Sequence, residues 1–219
     1  MAEDKHTFKL LVEGNDDKHV VIALWNNAKL PETFDVIDCQ SITKLLDNLR
    51  IRLTAPQTNE RLGVVVDADD DISARWDAIK DRLSATGMYD CKNLTLPEDG
   101  LVLNPTSEDA PVVGVWIMPN NKLPGMLEDF VATLSEPDDP LMAKADNVLN
   151  ELEAEKIQRY KVVHRAKAKI HSYLAWQDEP GKPMGVSITA HVLNPDSPSG
   201  IKFLEWLKRL FIQASFCHV

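Results

Sequence analysis

Residues 10–20 read LLVEGNDDKHV, and residues 62–70 read LGVVVDADD. In each stretch an apolar run stops on a carboxylate, and further acidic residues follow at once. Neither FKLLVE (8–13) nor LGVVV (62–66) alternates apolar with polar positions, as expected of strands covered on both faces. After Gly14, residues 17–29 place Val20, Val21, Leu24 and Ala28 at helical spacing, and Ile72, Trp76, Ile79 and Leu83 repeat that spacing after Asp71. Strand followed by helix, twice over, predicts an α/β chain on a parallel sheet.

The remaining elements extend this pattern. FDVID (34–38) reads as a strand, and Ser41 is placed to cap a helix with Ile42, Leu45, Leu46, Leu49 and Leu53 on one face. Residues 90–111 are rich in Pro, Gly, Asp and Glu and read as loop, with room for a short strand at 101–103. VVGVWIM (112–118) is a strong strand stopped by Pro119, and residues 126–134 read as a helix. SEPDDP (135–140) is the clearest break. Beyond it the spacing is helical over 141–158, 160–176 and 201–213, with Pro/Gly-rich turns at 178–185 and 194–200. The expected architecture is an α/β core over 1–134, with a mostly parallel sheet of about four strands flanked by helices, and a helical region over 141–219 packed on it. Trp25, Trp76, Trp116, Trp176 and Trp206 fall on apolar faces and read as core, as do Met118 and Met126.

With 219 residues and 44% apolar composition, the chain can bury a substantial core. The N-terminal MAEDKHTFK is charged and polar, and no apolar run approaches the roughly 18 residues of a membrane span. A soluble, cytoplasmic protein is expected. Cys39, Cys91 and Cys217 lack CxxC pairing and indicate neither a disulfide framework nor a zinc site; Cys217-His218 is a weak metal pair at most. The net charge of −10 is segregated: residues 1–155 hold 14 Lys and Arg against 30 Asp and Glu, while residues 156–219 hold 10 against 4. A basic segment thus follows an acidic core.

In an open parallel sheet, ligands bind beyond the carboxyl ends of the strands. Glu13, Asp67 and Asp69 lie at such ends, and they share one crevice if the two strands are neighbours. A group of carboxylates repels itself unless some are protonated or a cation joins them, and oxygen-only donors suit Mg²⁺ or Mn²⁺. The plainer reading is helix capping, since Asp after a strand is an ordinary N-cap. Capping or solvation fits Asp16, Asp70 and Asp71. It does not fit Glu13, because Glu caps poorly and the Gly14 turn exposes its carboxylate.

Glu13-Gly14 after a strand, with Asp17 four places on, and Asp67-Ala68-Asp69 after another strand resemble the two signatures of the TOPRIM domain. That domain is shared by topoisomerases, bacterial primases, ribosomal-RNA maturases and overcoming-lysogenization-defect (OLD) nucleases. WIMPNN (116–121), GMLEDF (125–130) and KAKIHSYLAW (167–176) further resemble a small bacterial and archaeal TOPRIM-like family of about this length. The resemblance implies Glu13 as acid/base or metal-ligating glutamate, Asp67 and Asp69 as a metal-binding pair, and Asp17 as a further acidic position. It implies Glu128, with Asp129 beside it, at a second metal, and Lys167 near a scissile phosphate with Lys169 as the alternative. PNN departs from the expected loop, with Asn120 where an aspartate belongs, leaving Asn121 to orient a phosphate or ligand.

The function so implied is hydrolysis of DNA or RNA phosphodiesters with one or two Mg²⁺ or Mn²⁺ ions. Tyr89, Tyr160 and Tyr173 lack the context of a topoisomerase nucleophile. OLD-type nucleases usually work with an ATPase; no GxxxxGK[ST] loop occurs here, so such an ATPase is a separate chain. The segment EKIQRYKVVHRAKAKIH (155–171) supplies Arg159, Lys161, Arg165 and Lys169 for nucleic-acid contact. Equally, Val162, Val163, Ala166, Ile170 and Leu174 would bury one stripe and leave the basic residues as a solvated face, with His164 and His171 as fillers. The alternative function is a non-catalytic TOPRIM-fold module that grips a nucleotide or a nucleic-acid end.

Overall fold

A computed structural model describes residues 5–55 and 60–212. In chain order it contains β1 (Phe8–Val12), α1 (Asn15–Asn27), β2 (Phe34–Asp38), α2 (Ile42–Thr54), β3 (Arg61–Asp67) and α3 (Ile72–Thr86). There follow β4 (Leu101–Leu103), β5 (Val112–Met118), α4 (Leu127–Ala132) and α5 (Pro140–Ala154). A short 3₁₀ turn (Val162–His164) leads into α6 (Arg165–Ala175), α7 (Met184–Thr189) and α8 (Pro198–Phe211). Cys217-His218 lies outside the described residues.

The sheet has five strands in the order β2-β1-β3-β5-β4. The first three neighbour pairs are parallel, and β4 pairs antiparallel with β5 at the far edge. Both faces are covered, which explains the unalternating strands. Leu10, Val12, Val65, Trp116 and Met118 point into one apolar layer with residues of α1, α4, α6, α7 and α8. Leu11, Val64, Val66, Val113, Val115 and Ile117 point into the other, with α2 and α3.

The helix boundaries follow local chemistry. Ser41 and Asp71 accept N–H bonds from Lys44 and Ala74 at the starts of α2 and α3, as side-chain caps do. Asp139-Pro140 and Ser197-Pro198 start α5 and α8 with a capping oxygen and a proline in the first turn. Asp16 does not cap α1; it is exposed, and the Asp17 carboxylate takes the Gly14 N–H instead.

The C-terminal helices complete the first layer. A Cβ at Gly114 would stand 2.4 Å from Leu210 Cδ2, so α8 crosses the sheet where β5 carries no side chain. α7, which the sequence presents as part of a Pro/Gly-rich turn, packs on α1. A Cβ at Gly185 would fall 2.7 Å from the His19 carbonyl oxygen. Gly185→Ala is therefore expected to push α7 off α1 and destabilise the fold by about 1–3 kcal/mol, read as a lower urea midpoint.

Three apolar expectations need correction. Trp176 is 40% exposed at the end of α6, and Val162 and Val163 are 86% and 41% exposed. The 3₁₀ turn before α6 breaks the helical phase that would have carried both valines inward. Ile170 and Leu174 are buried as expected.

Candidate functional site

The strand order settles whether the acidic ends meet. β1 pairs with β3 in the register Val12↔Val65, while β2 leaves β1 on the other side. The carboxyl ends of β1 and β3 therefore flank the point where the chain's winding reverses, the usual ligand crevice of such a sheet.

Glu13, one residue past β1, accepts the Asp67 backbone N–H through Oε1 at 3.0 Å. Asp67, the last residue of β3, accepts the Leu127 N–H through Oδ1 at 2.8 Å, joining the strand end to the first turn of α4. Asp17, in the first turn of α1, accepts the Gly14 N–H through Oδ2 at 3.1 Å, and its other oxygen, Oδ1, is buried without a hydrogen bond. Glu128, in the first turn of α4, is 5% exposed and faces the Lys167 ammonium at 3.4 Å. Four carboxylates from three strand-to-helix junctions thus come together at one end of the sheet, with Lys167 of α6 beside Glu128.

Their electrostatics show how crowded the group is. Burial, followed by the charges of Asp17, Glu13 and Glu128, pushes the Asp67 carboxyl up to about 9. Burial and the neighbouring Glu13 push Asp17 up to about 7. Glu13 is raised as well, chiefly by burial, although the Asp67 N–H and the Arg75 guanidinium work the other way. Like charges taken out of water favour the protonated form, so Asp17, Asp67 and Glu13 hold their protons to higher pH than free carboxyls do.

Asp69 is turned differently. Its backbone is left-handed (φ 51°) and bridged to Gly125 by paired N–H···O bonds of 2.9 and 2.8 Å. Its Oδ2 pairs with Arg75 at 2.5 Å, and its side chain is 48% exposed. Arg75, on the first turns of α3, is largely buried and also lowers Glu13. Sequence reasoning passed over this arginine; the signal was its place one helical turn after the Asp71 cap, on the face that looks back at the strand end.

The chain matches over residues 7–212 the family model described as protein of unknown function (DUF3226). The chain belongs to the DUF3226 family. No curated protein matches it. The C-terminal region of the Xanthomonas campestris pv. campestris OLD protein is similar in structure, with 15% identity, a TM-score of 0.47, and coverage of 96% of this chain and 98% of that one.

The other candidate positions of this DUF3226 protein fall away from the carboxylates. Asn121 is 5% exposed and its side chain is spent within the fold: Oδ1 accepts the Ile117 N–H at 2.7 Å and Nδ2 donates to the Glu98 carbonyl. Asn120 Oδ1 accepts the N–H groups of Lys122 and Leu123 in the same turn. Asp129 takes the Met126 N–H and caps α4. Arg165 bonds Asp146, Glu153 and Asn150, and Lys169 pairs with Asp146, so both are committed to α5. Arg159 and Lys161 are exposed in the linker before α6. Of the basic candidates, Lys167 alone reaches the carboxylates among the described residues.

Among the described residues, no three His, Cys, Asp or Glu side chains stand at the spacing of a formed metal cage. The donor set nevertheless suits a hard divalent ion. Every candidate donor is a carboxylate oxygen, and Asp17 Oδ1 is a buried acceptor with no partner. Among the described residues no helix is long and apolar enough to cross a membrane.

Proposed function

We propose that this chain is a TOPRIM-type, Mg²⁺- or Mn²⁺-dependent nuclease that hydrolyses phosphodiester bonds of DNA or RNA. The observation that carries the reading is the convergence of Glu13, Asp17, Asp67 and Glu128 at the β1/β3 carboxyl ends, with Lys167 against Glu128. One or two ions held by these carboxylates would offset the phosphate charge and make a bound water a competent nucleophile. Asp67 and Asp17 would be the primary holders, since Asp67 ends β3 beside Glu13 and the Asp17 Oδ1 is buried without a partner. Glu13 is held by a single backbone bond to one oxygen, leaving the other to take a proton at the strand end. Lys167 is half exposed, so its ammonium can leave Glu128 and contact a phosphate oxygen. Asp69, paired with Arg75, holds the β3 end in place.

The test is incubation of the purified chain with labelled single-stranded and duplex DNA and RNA under Mg²⁺ or Mn²⁺. Cleavage that is lost in Glu13→Gln supports the reading; cleavage identical in the wild type and the variant, or none even with an added ATPase partner, overturns it. Lys167→Met is expected to lower cleavage about 100-fold, on the order of 3 kcal/mol of transition-state stabilisation. It should leave the metal-induced rise in melting temperature intact, because Lys167 is not among the proposed ion ligands.

A further inference from the structure

The basic segment presents two faces, and the structure separates them. Arg165 and Lys169 turn onto α5, where Asp146 and Glu153 hold them. About a third of a turn away, His164, Lys167, Ala168 and His171 form a second stripe at i, i+3, i+4 and i+7. With Tyr160 they line an open cavity of about 400 Å³. Lys167 belongs to this cavity and to the carboxylate site at once, because it contacts Glu128 at 3.4 Å.

The lining is chemically narrow: three flat rings, one ammonium and no carboxylate. The Tyr160 hydroxyl donates to Glu153 Oε1 at 2.7 Å, and Glu153 is itself held by Arg165 Nε at 3.0 Å, so the tyrosine ring is pre-oriented at the cavity wall. His164 and His171 are exposed, and among the described residues neither imidazole makes a hydrogen bond or an ion pair. Exposed rings that satisfy nothing within the fold are available to a ligand. Aromatic platforms flanking a cation suit nucleobases stacked face-on beside a backbone phosphate.

We infer that the cavity lined by Tyr160, His164, Lys167 and His171 is a binding groove for unpaired nucleotides of a single-stranded nucleic acid, leading to the carboxylate site. The inference rests on the nuclease reading for its direction, since Lys167 would hold the phosphate at which groove and carboxylates meet. Paired bases present no free face to these rings, so a duplex gains only the phosphate contacts. The ion pairs of Arg165 and Lys169 to α5 serve as the scaffold that turns the ring-bearing face outward.

The test is fluorescence anisotropy on the full chain carrying Glu13→Gln, without divalent ion, so that no strand is cut. The probes are fluorescein-labelled DNA and RNA oligonucleotides of about 12 nucleotides, as single strands, as duplexes, and as strands with abasic sites. Single strands should bind roughly 10-fold more tightly than duplexes or abasic strands. Tyr160→Ala, His164→Ala and His171→Ala should each weaken single-strand binding about 5- to 10-fold, and the triple variant should no longer distinguish normal from abasic strands. The ring variants should keep the wild-type salt slope, whereas Lys167→Ala should reduce it by about one. DNA and RNA arms report which sugar the groove favours, and a preference for either supports it.

Ring variants that bind like the parent protein, or a duplex bound as tightly as a single strand, overturn the inference. If the wild-type chain cleaves while the ring variants bind normally, the groove falls and the nuclease stands. If no strand is cut but the ring variants lose single-strand binding, the nuclease falls and the groove stands.

Discussion

Asp67→Asn is expected to raise the melting temperature of the metal-free protein by about 3–6 °C at mildly alkaline pH, and to reduce metal-dependent cleavage about 1,000-fold. The two effects have one cause. Asn retains an Oδ1 that can accept the Leu127 N–H, so the link between β3 and α4 survives. It removes a half-buried carboxylate that desolvation and Asp17, Glu13 and Glu128 push up to about 9. Relief of about 1–2 kcal/mol of such crowding corresponds to several degrees for a chain of this size. The same neutralisation deprives a divalent ion of a charged ligand at the strand end, and a 1,000-fold loss corresponds to about 4 kcal/mol. Scanning calorimetry with and without Mg²⁺ or Mn²⁺ checks both halves. The variant should melt higher than wild type without metal and gain little when metal is added. A variant that melts lower without metal and still shows the full metal-induced shift would remove Asp67 from the site.

Metal-free wild-type protein is expected to lose stability as pH rises from about 4 toward 9, and Mg²⁺ or Mn²⁺ should restore it most at the alkaline end. Asp17 and Asp67 are raised to about 7 and about 9 in the folded chain from an ordinary 3.8. Between those values the unfolded chain has already released protons that the folded chain retains, so the slope of stability with pH is negative. The contribution is complete below the unfolded value and lost as pH climbs through the folded ones. A net change of about 2 kcal/mol lowers the melting temperature by roughly 4–8 °C. The acid limb runs the opposite way. Burial raises Asp35 and Asp146, but Lys9 and the His6 N–H, and Lys169 with Arg165, outweigh it and hold both below their usual range. Their stabilisation is present above the ordinary aspartate value and lost as pH falls through the lowered ones. Greatest metal-free stability near pH 4–5 follows. A flat thermal profile from neutral to alkaline pH would show that the four carboxylates do not crowd one another.

Much of the architecture was legible because burial on two faces leaves a one-dimensional trace. β1, β3 and β5 each show apolar runs without alternation, and the capping residues Ser41 and Asp71 stand where α2 and α3 begin. The convergence of Glu13 with Asp67 was conditional on strand order, and the pairing of β1 with β3 meets that condition. α7 was missed because its six residues lie among prolines and glycines and derive their helicity from packing on α1, which leaves no periodic stripe of useful length.

The side-chain partners were not legible. Asp69 and Asp67 are two residues apart and look equivalent in DAD, yet the left-handed turn at Asp69 points it to Arg75 while Asp67 stays beside Glu13, Asp17 and Glu128. Arg165, Lys167 and Lys169 look like one basic stripe, but α5 claims the first and last and leaves Lys167 to Glu128. Asn121 looked free for a ligand and is bound to the Ile117 N–H and the Glu98 carbonyl.

The sequence by itself determined the strand and helix order and the placement of carboxylates at strand ends, because backbone preference and apolar periodicity act over a few neighbouring residues. Only the tertiary structure decided which charges meet. An ion pair forms between whatever side chains the fold brings within a few ångströms, and Lys167 and Glu128, 39 positions apart in the chain, meet only because α6 packs beside α4.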